Sequence, residues 1–475
     1  MSELPSEWKI KALGDVVEKI VGGGTPSKNN ETYFRGNIPF MTVKDMKISR
    51  PKGTIDNITE EALKNSSSKL IEPNTLIIST RMGLGKIVKV KFPVAINQDL
   101  KALYLSDDVY QKFFEYQYQY KAQEIEALGT GTTVKGIRLE TLKKIEMVFA
   151  PLDEQKRIAE KLDNVLAKVE AAQARLDKIP AILKRFRQSV LAAATSGELT
   201  KKWREENSNL LLDKNKIQLQ RSNLYKRKGR KYAEAEEIGG EILDKLFDIP
   251  DSWSWLRAEE FCDFITKGTT PKRDRMGAEF TVPYIKVYNL TFNGSLDFTV
   301  EPTFVDKLTH DSELKRSIVY PGDVLMNIVG PPLGKVSIVP DEYPEWNINQ
   351  AIAVFRPVDS VNNQYLSFCL QSTRLLELVK LQAKATAGQF NLTLEICRNY
   401  PLPVPHVKEQ EVIVKKVEEL FEYAGAVDKQ YQAAKKRLDK LTQSLLAKAF
   451  KGEILPGLVD SNIEAIENSV EAIHA

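Results

Sequence analysis

The residues that could carry catalytic chemistry are few, and their spacing fits no common catalytic motif. Gly83-Leu84-Gly85-Lys86-Ile87 resembles a phosphate-binding loop, but its spacing differs and no Ser or Thr follows the lysine. Gly330-Pro331-Pro332-Leu333 lacks the amide and the aromatic residue with which amino-methyltransferases hold a base. Glu154-Gln155-Lys156 has the ExK pattern of a nuclease without an upstream carboxylate to complete a magnesium site.

Histidine and cysteine form no catalytic set either. The three histidines are scattered and indicate no proton relay: His310, His406 and His474. The three cysteines are never spaced as a CxxC pair, which favours buried structural thiols over a disulfide framework or a zinc site: Cys262, Cys369 and Cys397. We therefore expect a binding protein that is not an enzyme, with no catalytic residue, metal or cofactor of its own.

The elements that would position binding residues occur twice in the chain. Gln188-Ser189-Val190-Leu191-Ala192 returns as Gln443-Ser444-Leu445-Leu446-Ala447, and Gly197-Glu198 returns as Gly452-Glu453 at the same separation. Earlier matches, such as Thr25-Pro26 with Thr270-Pro271, have a drifting separation that indicates loop insertions. Such a repeat predicts two similar units related by pseudo-two-fold symmetry.

Each copy ends in a segment with an apolar seam, in which apolar residues alternate at spacings of four and three, the heptad pattern of a coiled coil. The first seam comprises Ile158, Leu162, Val165, Val169, Ala172, Leu176, Ile179, Leu183, Phe186 and Val190. The second comprises Ile413, Val417, Leu420, Ala424, Val427, Tyr431, Ala434, Leu438, Leu441 and Leu445. We interpret them as an intramolecular antiparallel two-helix coiled coil. The alternative is two amphipathic helices, each lying on its own domain.

Three residues are expected to interrupt or end the seam helices. Pro180 removes a backbone hydrogen bond inside the first helix and predicts a kink or break near Ile179 between two collinear segments. Gly197 and Gly452 predict left-handed caps at the helix ends.

The predicted fold class is mixed α/β, with two pseudo-symmetric β-rich domains separated by the coiled coil. Short β-rich runs punctuated by Pro and Gly support this class in both variable parts. The predicted order is a first domain at 1–150, a first helical region at 151–200, a polar linker at 201–247, a second domain at 248–405, a second helical region at 406–456 and an acidic tail at 457–475. In the linker, the basic run 226–231 and the acidic stretch 234–237 suit a solvated connector at least as well as a DNA contact.

Composition excludes several classes of protein. The chain has 475 residues, of which 42% are hydrophobic and 28% charged, so it can bury more than one core and is not disordered. Its apolar runs are too short to span a bilayer, and no basic segment followed by an apolar stretch begins the sequence, so we expect a cytoplasmic protein without a membrane partner. The net charge of +4 does not by itself suggest nucleic acid.

The length of the seam suggests a ligand. Antiparallel pairing would place the two domains at opposite ends of a rod. The helix from Ile158 to Val190 would span about 48 Å at about 1.5 Å per residue. That exceeds one turn of B-DNA, about 34 Å. The two diverged domains could therefore meet unlike, separated half-sites on one duplex.

Three strings of residues resemble a known family. They are the Pro-Leu-x-Glu-Gln-x-x-Ile-Ala-x-Lys-Leu motif at Pro151 to Leu162, the segment from Ile179 to Gln188 and the segment from Gln443 to Glu453. With the two-copy layout, they resemble the specificity subunit of type I restriction-modification enzymes over nearly the whole chain. The resemblance implies that 1–150 and 248–405 are target recognition domains for a bipartite, asymmetric sequence in double-stranded DNA, with the helical regions setting the spacing.

The resemblance also implies partners. Two modification subunits would dock on the helical regions, bring S-adenosylmethionine and methylate adenine N6 in a flipped-out base. Two restriction subunits would complete an ATP-dependent, translocating endonuclease that needs magnesium. This chain would then supply target recognition without chemistry.

The predicted DNA-binding residues are polar or basic residues in turns between strands. In the first domain they are Thr25, Lys28, Lys44, Arg81 and Lys86, and in the second they are Thr270, Lys272, Arg273, Lys286, Asn289, Asn327 and Lys335. Arg and Lys suit guanine or phosphate, and Asn suits adenine. An ordinary surface or structural role is the alternative for each of them. Asn97-Gln98 and Asn349-Gln350 recur in both domains, so we interpret them as structural.

Two other functions fit part of the pattern. A stand-alone regulatory DNA-binding protein would need the two domains and the coiled coil, but it would have no reason to keep outer helix faces that can bind other subunits. A coiled-coil scaffold for proteins alone would leave the duplication and divergence of the β-rich domains without a reason.

Overall fold

The structure is a computed structural model that describes residues 4–131, 134–229, 232, 238, 242, 244–330, 332–381, 385–386 and 389–453. The chain divides into two compact units. Unit 1 holds the described part of Met1–Lys178 and of Gln430–Ala475, and unit 2 holds the described part of Ile179–Lys429. No helix in these ranges has the length and apolar character that crossing a membrane requires. The acidic stretch 234–237 and the acidic tail 457–475 lie outside the described residues.

Unit 1 is built mainly from short strands. They are β1 (Lys9–Ala12), β2 (Val17–Gly22), β3 (Ile38–Met41), β4 (Asp56–Ile58), β5 (Lys69–Ile71), β6 (Leu76–Ser79), β7 (Ile87–Lys89), β8 (Val94–Ile96), β9 (Leu100–Leu105) and β10 (Glu146–Phe149). Its helices are α1 (Glu60–Lys64), α2 (Gln111–Tyr120), α3 (Ala122–Ala127), α4 (Leu139–Lys143) and α5 (Leu152–Leu176), with 3-10 turns at Leu13–Asp15, Glu31–Phe34 and Val43–Asp45.

Unit 2 begins with helices and continues with strands. Its helices are α6 (Ile179–Ser196), α7 (Lys201–Glu206), α8 (Lys214–Arg227), α9 (Ala258–Phe261), α10 (Lys307–Asp311), α11 (Asn363–Gln371), α12 (Thr373–Lys380) and α13 (Leu394–Arg398). Its strands are β11 (Ser254–Arg257), β12 (Cys262–Lys267), β13 (Met276–Gly277), β14 (Val282–Ile285), β15 (Phe304–Val305), β16 (Ile318–Val319), β17 (Val324–Asn327), β18 (Val336–Ile338), β19 (Trp346–Ile348), β20 (Ile352–Pro357), β21 (Ala385–Thr386), β22 (Gln389–Phe390) and β23 (Pro401–Val404). The 3-10 turns lie at Glu198–Thr200, Arg273–Arg275, Val287–Asn289 and Lys315–Ser317. A final helix, α14 (Val407–Ala449), contributes residues to both units.

The sheets repeat from unit to unit. In unit 1, β2-β9-β6-β7 form one sheet, and β4-β3-β8-β5 form a second that contains the parallel pair β3 and β8. In unit 2, β12-β20-β17-β18 form the matching first sheet, and β13-β15-β14-β19-β16 form a second with the parallel pair β14 and β19. The predicted class, mixed α/β with two similar β-rich domains, is confirmed.

The inner strands of these sheets hold the cores. Every residue of β6 and of β17 is buried, which agrees with their nearly continuous apolar sequences. In unit 1, Ile77 packs in an apolar cluster with Val88, Ile96 and Ala102. In unit 2, Leu325 packs in a cluster with Ile348 and Val354. The two cores therefore fix the strands whose ends carry the predicted binding residues.

The first seam helix is interrupted where the proline predicts. Helix α5 ends at Leu176 and α6 begins at Ile179. Pro180 is the second residue of α6, a position where a missing backbone N–H costs no intrahelical hydrogen bond. The predicted break is confirmed.

Within unit 2, α6 and α14 run antiparallel. Lys416 donates a 3.1 Å hydrogen bond to the carbonyl of Leu199, and the Arg187 guanidinium lies 5.3 Å from the centre of the Phe421 ring. Further back along α6, Pro180 lines a cleft with Asp428. In unit 1, Leu166 of α5 and Thr442 of α14 line a common cleft. In unit 2, the contacts from Leu199 back to Pro180 therefore meet residues of α14 with rising numbers, from Lys416 to Asp428, as antiparallel helices require.

The twenty predicted seam positions are all buried or half-buried. The buried ones are Ile158, Leu162, Val169, Ala172, Leu176, Ile179, Val190, Ile413, Val417, Ala424, Tyr431, Ala434, Leu438 and Leu445. The half-buried ones are Val165, Leu183, Phe186, Leu420, Val427 and Leu441. In unit 2, Val190 shares an apolar cluster with Ile413 and Val417.

The described residues 201–229 of the predicted linker are more ordered than a solvated connector. Helix α8 begins after Asp213, whose side chain caps it by accepting a hydrogen bond from the Lys216 backbone N–H. Ile217 is 2% exposed and belongs to the main apolar cluster of unit 2. Lys228, in the predicted basic run, forms an ion pair with the buried Asp263. Lys228 therefore has a structural role.

Candidate nucleic-acid interface

The register of the strands gathers the predicted residues of the first domain at one end of its sheets. Gly22 pairs with Lys101 and Ser79 pairs with Leu100, so the segments that follow β2 and β6 lie beside the segment that precedes β9. The parallel pairing of Met41 with Ile96 brings the turn after β3 to the same end. We call the segments 23–28, 42–45, 80–86 and 97–99 edge 1. All five predicted residues of this domain lie on it: Thr25, Lys28, Lys44, Arg81 and Lys86.

Side-chain contacts hold edge 1 together. The Thr25 hydroxyl donates a hydrogen bond to the Gln98 side chain. A Cβ placed on Gly83 would lie 3.3 Å from the Val43 side chain and 3.1 Å from that of Lys86, so the turn at Val43–Asp45 and the loop after β6 are neighbours. Lys28, Lys44 and Lys86 are exposed, and their charges face solvent. Edge 1 can therefore meet an anionic surface.

Two more cations on or beside edge 1 escaped the sequence analysis. Lys101 donates hydrogen bonds to the carbonyls of Gln98 (3.0 Å) and Leu100 (3.2 Å). Burial lowers its pKa, and the charge of Asp99 opposes that shift. Lys135 is exposed, and its carbonyl accepts a 3.1 Å hydrogen bond from the Met82 N–H. Neither was recognisable, because Lys101 lies inside a strand and Lys135 reaches edge 1 only through tertiary pairing.

The second domain repeats this arrangement. Lys267 pairs with Ala353, Asn327 pairs with Ile352, and Ile285 runs parallel to Ile348. We call the segments 268–273, 286–289, 327–330 with 332–335, and 349–351 edge 2. It contains all seven predicted residues of this domain: Thr270, Lys272, Arg273, Lys286, Asn289, Asn327 and Lys335.

Edge 2 combines cations with aromatic rings that lie on it or beside it. Thr270, Lys272 and Arg273 are exposed. The Lys286 ammonium lies 5.7 Å from the centre of the Tyr288 ring, and the Lys335 ammonium lies 5.9 Å from that of Phe292. Such cation–π contacts keep an exposed ring beside a charge. Burial raises the pKa of Tyr284 to about 12, and its hydroxyl donates to the Thr269 carbonyl at 2.8 Å, which fixes the start of the Thr270 loop.

Tyr288 and Phe292 are binding candidates that the sequence analysis missed, since it considered only polar and basic residues. Tyr288 is 36% exposed and Phe292 is 55% exposed. Aligning the two copies would have found Tyr288, because the residue before Asn289 in its 3-10 turn corresponds to Lys44 before Asp45.

Asn289 and Asn327 have a structural role in place of the adenine-reading role predicted for them. Each is 1% exposed. Asn289 donates to the carbonyls of Asp297 and Val300 at 3.0 and 2.8 Å and accepts from the Lys286 N–H at 2.9 Å. Asn327 donates to the Pro332 carbonyl and accepts from the Lys335 N–H, both at 2.9 Å. Their amide groups therefore hold turns, and no edge remains for a base.

The recurring asparagines, Asn97 and Asn349, are structural, as interpreted from the sequence. Asn97 donates to the Asp99 carboxylate at 3.0 Å and accepts from the Asp99 N–H at 3.2 Å. Asn349 accepts from the Ala351 N–H at 3.1 Å. Each asparagine thus closes the turn that leads into an inner strand of its sheet, β9 or β20.

A second matched pair fastens each domain to a helix. Gln155 accepts from the Tyr110 N–H at 2.8 Å and donates to the carbonyls of Asp108 and Ala150 at 3.1 and 2.8 Å. Gln410 accepts from the Asn362 N–H at 2.7 Å and donates to the carbonyls of Ser360 and Pro405 at 3.1 and 2.9 Å. The Glu-Gln motif at the start of each helical region is therefore an anchor that positions the domain. In the described ranges, no group of three or more His, Cys, Asp or Glu side chains could hold a metal ion.

Comparison with known proteins gives a family to which this chain is similar. Residues 5–181 and 250–433 match the family described as type I restriction modification DNA specificity domain. The chain is 31% identical over 409 residues to the type I restriction enzyme EcoBI specificity subunit of Escherichia coli, a match that covers 85% of this chain and 79% of the relative. It is 27% identical over 480 residues to the EcoDI specificity subunit of Escherichia coli, with 99% and 94% covered.

A solved structure shares the fold. It comes from work described as the structural basis underlying complex assembly and conformational transition of the type I R-M system. The match has a TM-score of 0.62 at 19% identity and covers 95% of this chain and 100% of that chain.

Proposed function

This chain belongs to the family of type I restriction-modification DNA specificity proteins, and we propose that it reads a bipartite, asymmetric target in double-stranded DNA. As a specificity subunit it is a non-catalytic DNA-recognition protein. The proposal adds how the target is divided: edge 1 contacts one half-site and edge 2 contacts the other.

One observation carries this proposal. The two edges share their supports but differ in what they expose. Asp45 and Asn289 cap equivalent 3-10 turns by accepting from the backbone N–H of Thr42 (2.8 Å) and of Lys286 (2.9 Å). The exposed residues before those caps are Lys44 in one domain and Tyr288 in the other. Since the same frame presents different groups, the two domains suit two unlike half-sites.

We assign two kinds of contact to the predicted residues on the two edges that are exposed or half-buried. Lysines on long, solvated side chains suit phosphate, which supplies much of the affinity and makes it salt-dependent. The exposed Lys28, Lys44, Lys86 and Lys272 belong to this group, together with the half-buried Lys286 and Lys335. Thr25, Arg81, Thr270 and Arg273 have directional donors that suit base edges as well as phosphate. The buried Asn289 and Asn327 hold the loops through hydrogen bonds to the main chain.

We further propose that the chain directs partner subunits. Two modification subunits would dock on the helical regions and carry S-adenosylmethionine for adenine N6 methylation. Two restriction subunits would carry ATP and magnesium. The names of the relatives, each the specificity subunit of a type I restriction enzyme, support such an assembly. The heptad seams support a spacing role for the helical regions, because a coiled coil is a stiff element of defined length.

The test is a selection experiment. The chain would be co-expressed with a candidate modification subunit, and the complex would select from a randomised duplex library at defined salt. We expect two short, unlike motifs at one fixed spacing. Replacing Lys44 by Ala should weaken binding to all selected sequences alike and lower the salt slope by about 1. Replacing Lys64, an exposed lysine in α1 outside edge 1, should change neither.

Other outcomes would favour the other functions. Enrichment of both motifs by the chain alone would favour a stand-alone regulatory DNA-binding protein. Stable protein complexes without enrichment would favour a scaffold. Methyl transfer by the purified chain without partners would contradict the non-catalytic role.

A further inference from the structure

Arg81 on edge 1 and Val329 on edge 2 occupy equivalent positions in the two domains. The residue before each one donates a 2.8 Å hydrogen bond across the sheet, Thr80 to the Asp99 carbonyl and Ile328 to the Ala351 carbonyl. Each residue also forms an isolated antiparallel bridge, Arg81 with Gly136 and Val329 with Asn391. The matching backbone defines three equivalent pairs: Arg81 with Val329, Asp99 with Ala351, and Gly136 with Asn391.

The side chain of Arg81 is held at its base and oriented near its tip. The Arg81 carbonyl accepts a 2.7 Å hydrogen bond from the Ser79 hydroxyl, and the bridge to Gly136 fixes the other side of the backbone. Nη1 lies 3.6 Å from Oδ1 of Asp99, whose other carboxylate oxygen accepts a 3.0 Å hydrogen bond from Asn97. The Asp99 side chain is 11% exposed and the Arg81 side chain is 53% exposed. A largely buried carboxylate thus directs a guanidinium that still faces solvent.

Gly136 provides the room that this arginine needs. A Cβ at position 136 would lie 3.2 Å from Cγ and 3.9 Å from Cδ of Arg81. The distance to Cγ is shorter than most Cβ contacts in proteins. A larger side chain here would push the arginine away from Asp99. The glycine therefore belongs to the same arrangement as the ion pair.

In the second domain all three side chains differ. Val329, which is 39% exposed, has no donor, and Ala351 has no carboxylate to offer one. Asn391 is exposed where the first domain has glycine. Because the backbone pairing is the same in both domains, the fold itself does not require the arginine set. Arg81, Asp99 and Gly136 therefore serve the recognition of the ligand that the first domain binds.

We propose that Arg81 reads a guanine in the half-site bound by the first domain and that Asp99 is its positioning residue. The inference rests on the proposed DNA-recognition function and assigns one base contact within it. Guanine presents two acceptors, O6 and N7, in the major groove, and the planar guanidinium fork donates to both at once. Val329 cannot make this contact, so the second domain reads no guanine from the equivalent position.

A phosphate contact is the other chemistry open to an exposed arginine, and Asp99 argues against it. A carboxylate 3.6 Å from Nη1 repels an incoming phosphate, whereas the neutral edge of guanine carries no such penalty. A fold-stabilising role is also a poor explanation, since a half-exposed ion pair contributes little to stability. An arginine oriented by a fixed carboxylate suits selective recognition, because its geometry is set before binding.

The experiment compares selected target sequences for variants of the full chain in complex with its modification subunit. The wild type should require G at one position of one half-site. Arg81→Ala, Arg81→Lys and Asp99→Ala should each relax that position, with discrimination against the other bases falling roughly 5- to 150-fold for Arg81→Ala. The other positions of both half-sites should stay unchanged. Arg81→Lys keeps the charge but loses the fork, so it separates base reading from simple attraction.

Arg35→Ala is the matched control. Arg35 lies 3.4 Å from Glu31 in an exposed ion pair that precedes β3, at the end of this strand away from edge 1. Its removal should leave every base preference intact. The reciprocal variant Val329→Arg with Ala351→Asp and Asn391→Gly should acquire a preference for G at one position of the other half-site.

The outcomes separate this inference from the proposed function. If the wild type selects no two-part motif, the proposed function fails and the inference fails with it. If the motif persists but Arg81→Ala selects the same bases with the same stringency, the inference alone is overturned. A uniform loss of affinity with a salt slope lowered by about 1 would also overturn it, since that is the signature of a phosphate contact.

Discussion

The indole Nε1 of Trp253 donates a 2.9 Å hydrogen bond to Oε2 of Glu409, a carboxylate that is only 1% exposed. The other oxygen of Glu409 accepts from the Thr200 hydroxyl at 2.7 Å and from Arg204 at 2.8 Å. The first copy repeats the central contact, because Trp8 donates to Glu154 at 3.1 Å. In each copy the bond joins the residue just before the first strand of a domain to the first turn of a seam helix.

Removing the Glu409 carboxylate should destabilise unit 2. Glu409→Ala leaves the Arg204 guanidinium, 17% exposed, without its anionic partner and leaves a buried indole N–H without an acceptor. Breaking such a pair costs about 3 kcal/mol or more. Urea unfolding followed by tryptophan fluorescence should show a correspondingly lower free energy of unfolding for the transition that includes Trp253.

Glu411→Ala provides the control for this prediction. Glu411 is exposed and lies on the same helix two residues away, so its removal should change the unfolding free energy by no more than about 0.5 kcal/mol. Equal shifts for the two variants would contradict the anchoring role of Glu409.

The glycine caps give a second prediction. Gly197 has φ of +82° and Gly452 has φ of +74°, as the sequence predicts for left-handed caps. A Cβ would lie 2.5 Å from Cγ of Pro250 at the first site and 2.7 Å from Cγ of Pro5 at the second. Gly197→Ala and Gly452→Ala should therefore each lower stability by about 1 to 2 kcal/mol from backbone strain, with the proline contact adding to it. Thermal unfolding measures both.

Gly425→Ala should have the opposite sign. Gly425 lies inside α14, has no positive φ, and a Cβ there would meet nothing within 4 Å. Alanine in a helix interior is favoured over glycine by about 0.5 to 1 kcal/mol. Stabilisation by all three alanines would show that the two caps are not strained by a side chain.

The sequence predicted the features that follow from repetition and period. The break at Pro180 and the left-handed caps at Gly197 and Gly452 depend on local backbone rules that hold in any context. The turns that carry the candidate binding residues were also recognisable, because polar residues between short strands have few other places to lie. Their gathering on one end of each sheet needed the strand order, which the sequence alone did not supply.

The functions of individual polar residues were beyond the sequence. Asn289 and Asn327 have the composition of base-reading residues, but both are buried with their amides bonded to the main chain. The order of 201–229 was missed for a related reason. Helix α8 is anchored by Ile217 and by the buried Arg221, and a helix with so few apolar contacts shows little periodicity.

The three cysteines should be unreactive in the folded protein. All three are free and buried. Burial raises the pKa of Cys369 and of Cys397 to about 12 and also raises the pKa of Cys262. Since the thiolate is the nucleophile, an aromatic disulfide reagent at pH 8 should titrate no thiol in the native chain and three in denaturant. Rapid native labelling would contradict this burial.

The same thiols should weaken the protein at alkaline pH. Their pKa values are raised on folding, so below the unfolded value of about 9 each thiol is protonated in both states and costs nothing. Above it the unfolded chain releases protons that the folded chain keeps, and stability falls as pH rises towards 12. Cys397→Ala should flatten the fall in the urea midpoint between pH 8.5 and 10.5, roughly the range where these titrations begin.

The proposed spacing role of the helical regions predicts that target spacing follows helix length. One heptad would be added to each seam helix where the chain passes between the units. The first insertion is a copy of residues 170–176 after Leu176, and the second is a copy of residues 424–430 after Gln430. Seven residues keep the seam in phase and add about 10 Å, which corresponds to about three base pairs. Selection from a randomised library should return the same two motifs with a longer spacer. Seven residues inserted after Asn209, in an exposed turn of unit 2, should leave the spacer as it is. A spacer that stays constant in the matched insertion, with both motifs retained, would show that the helices do not set the distance.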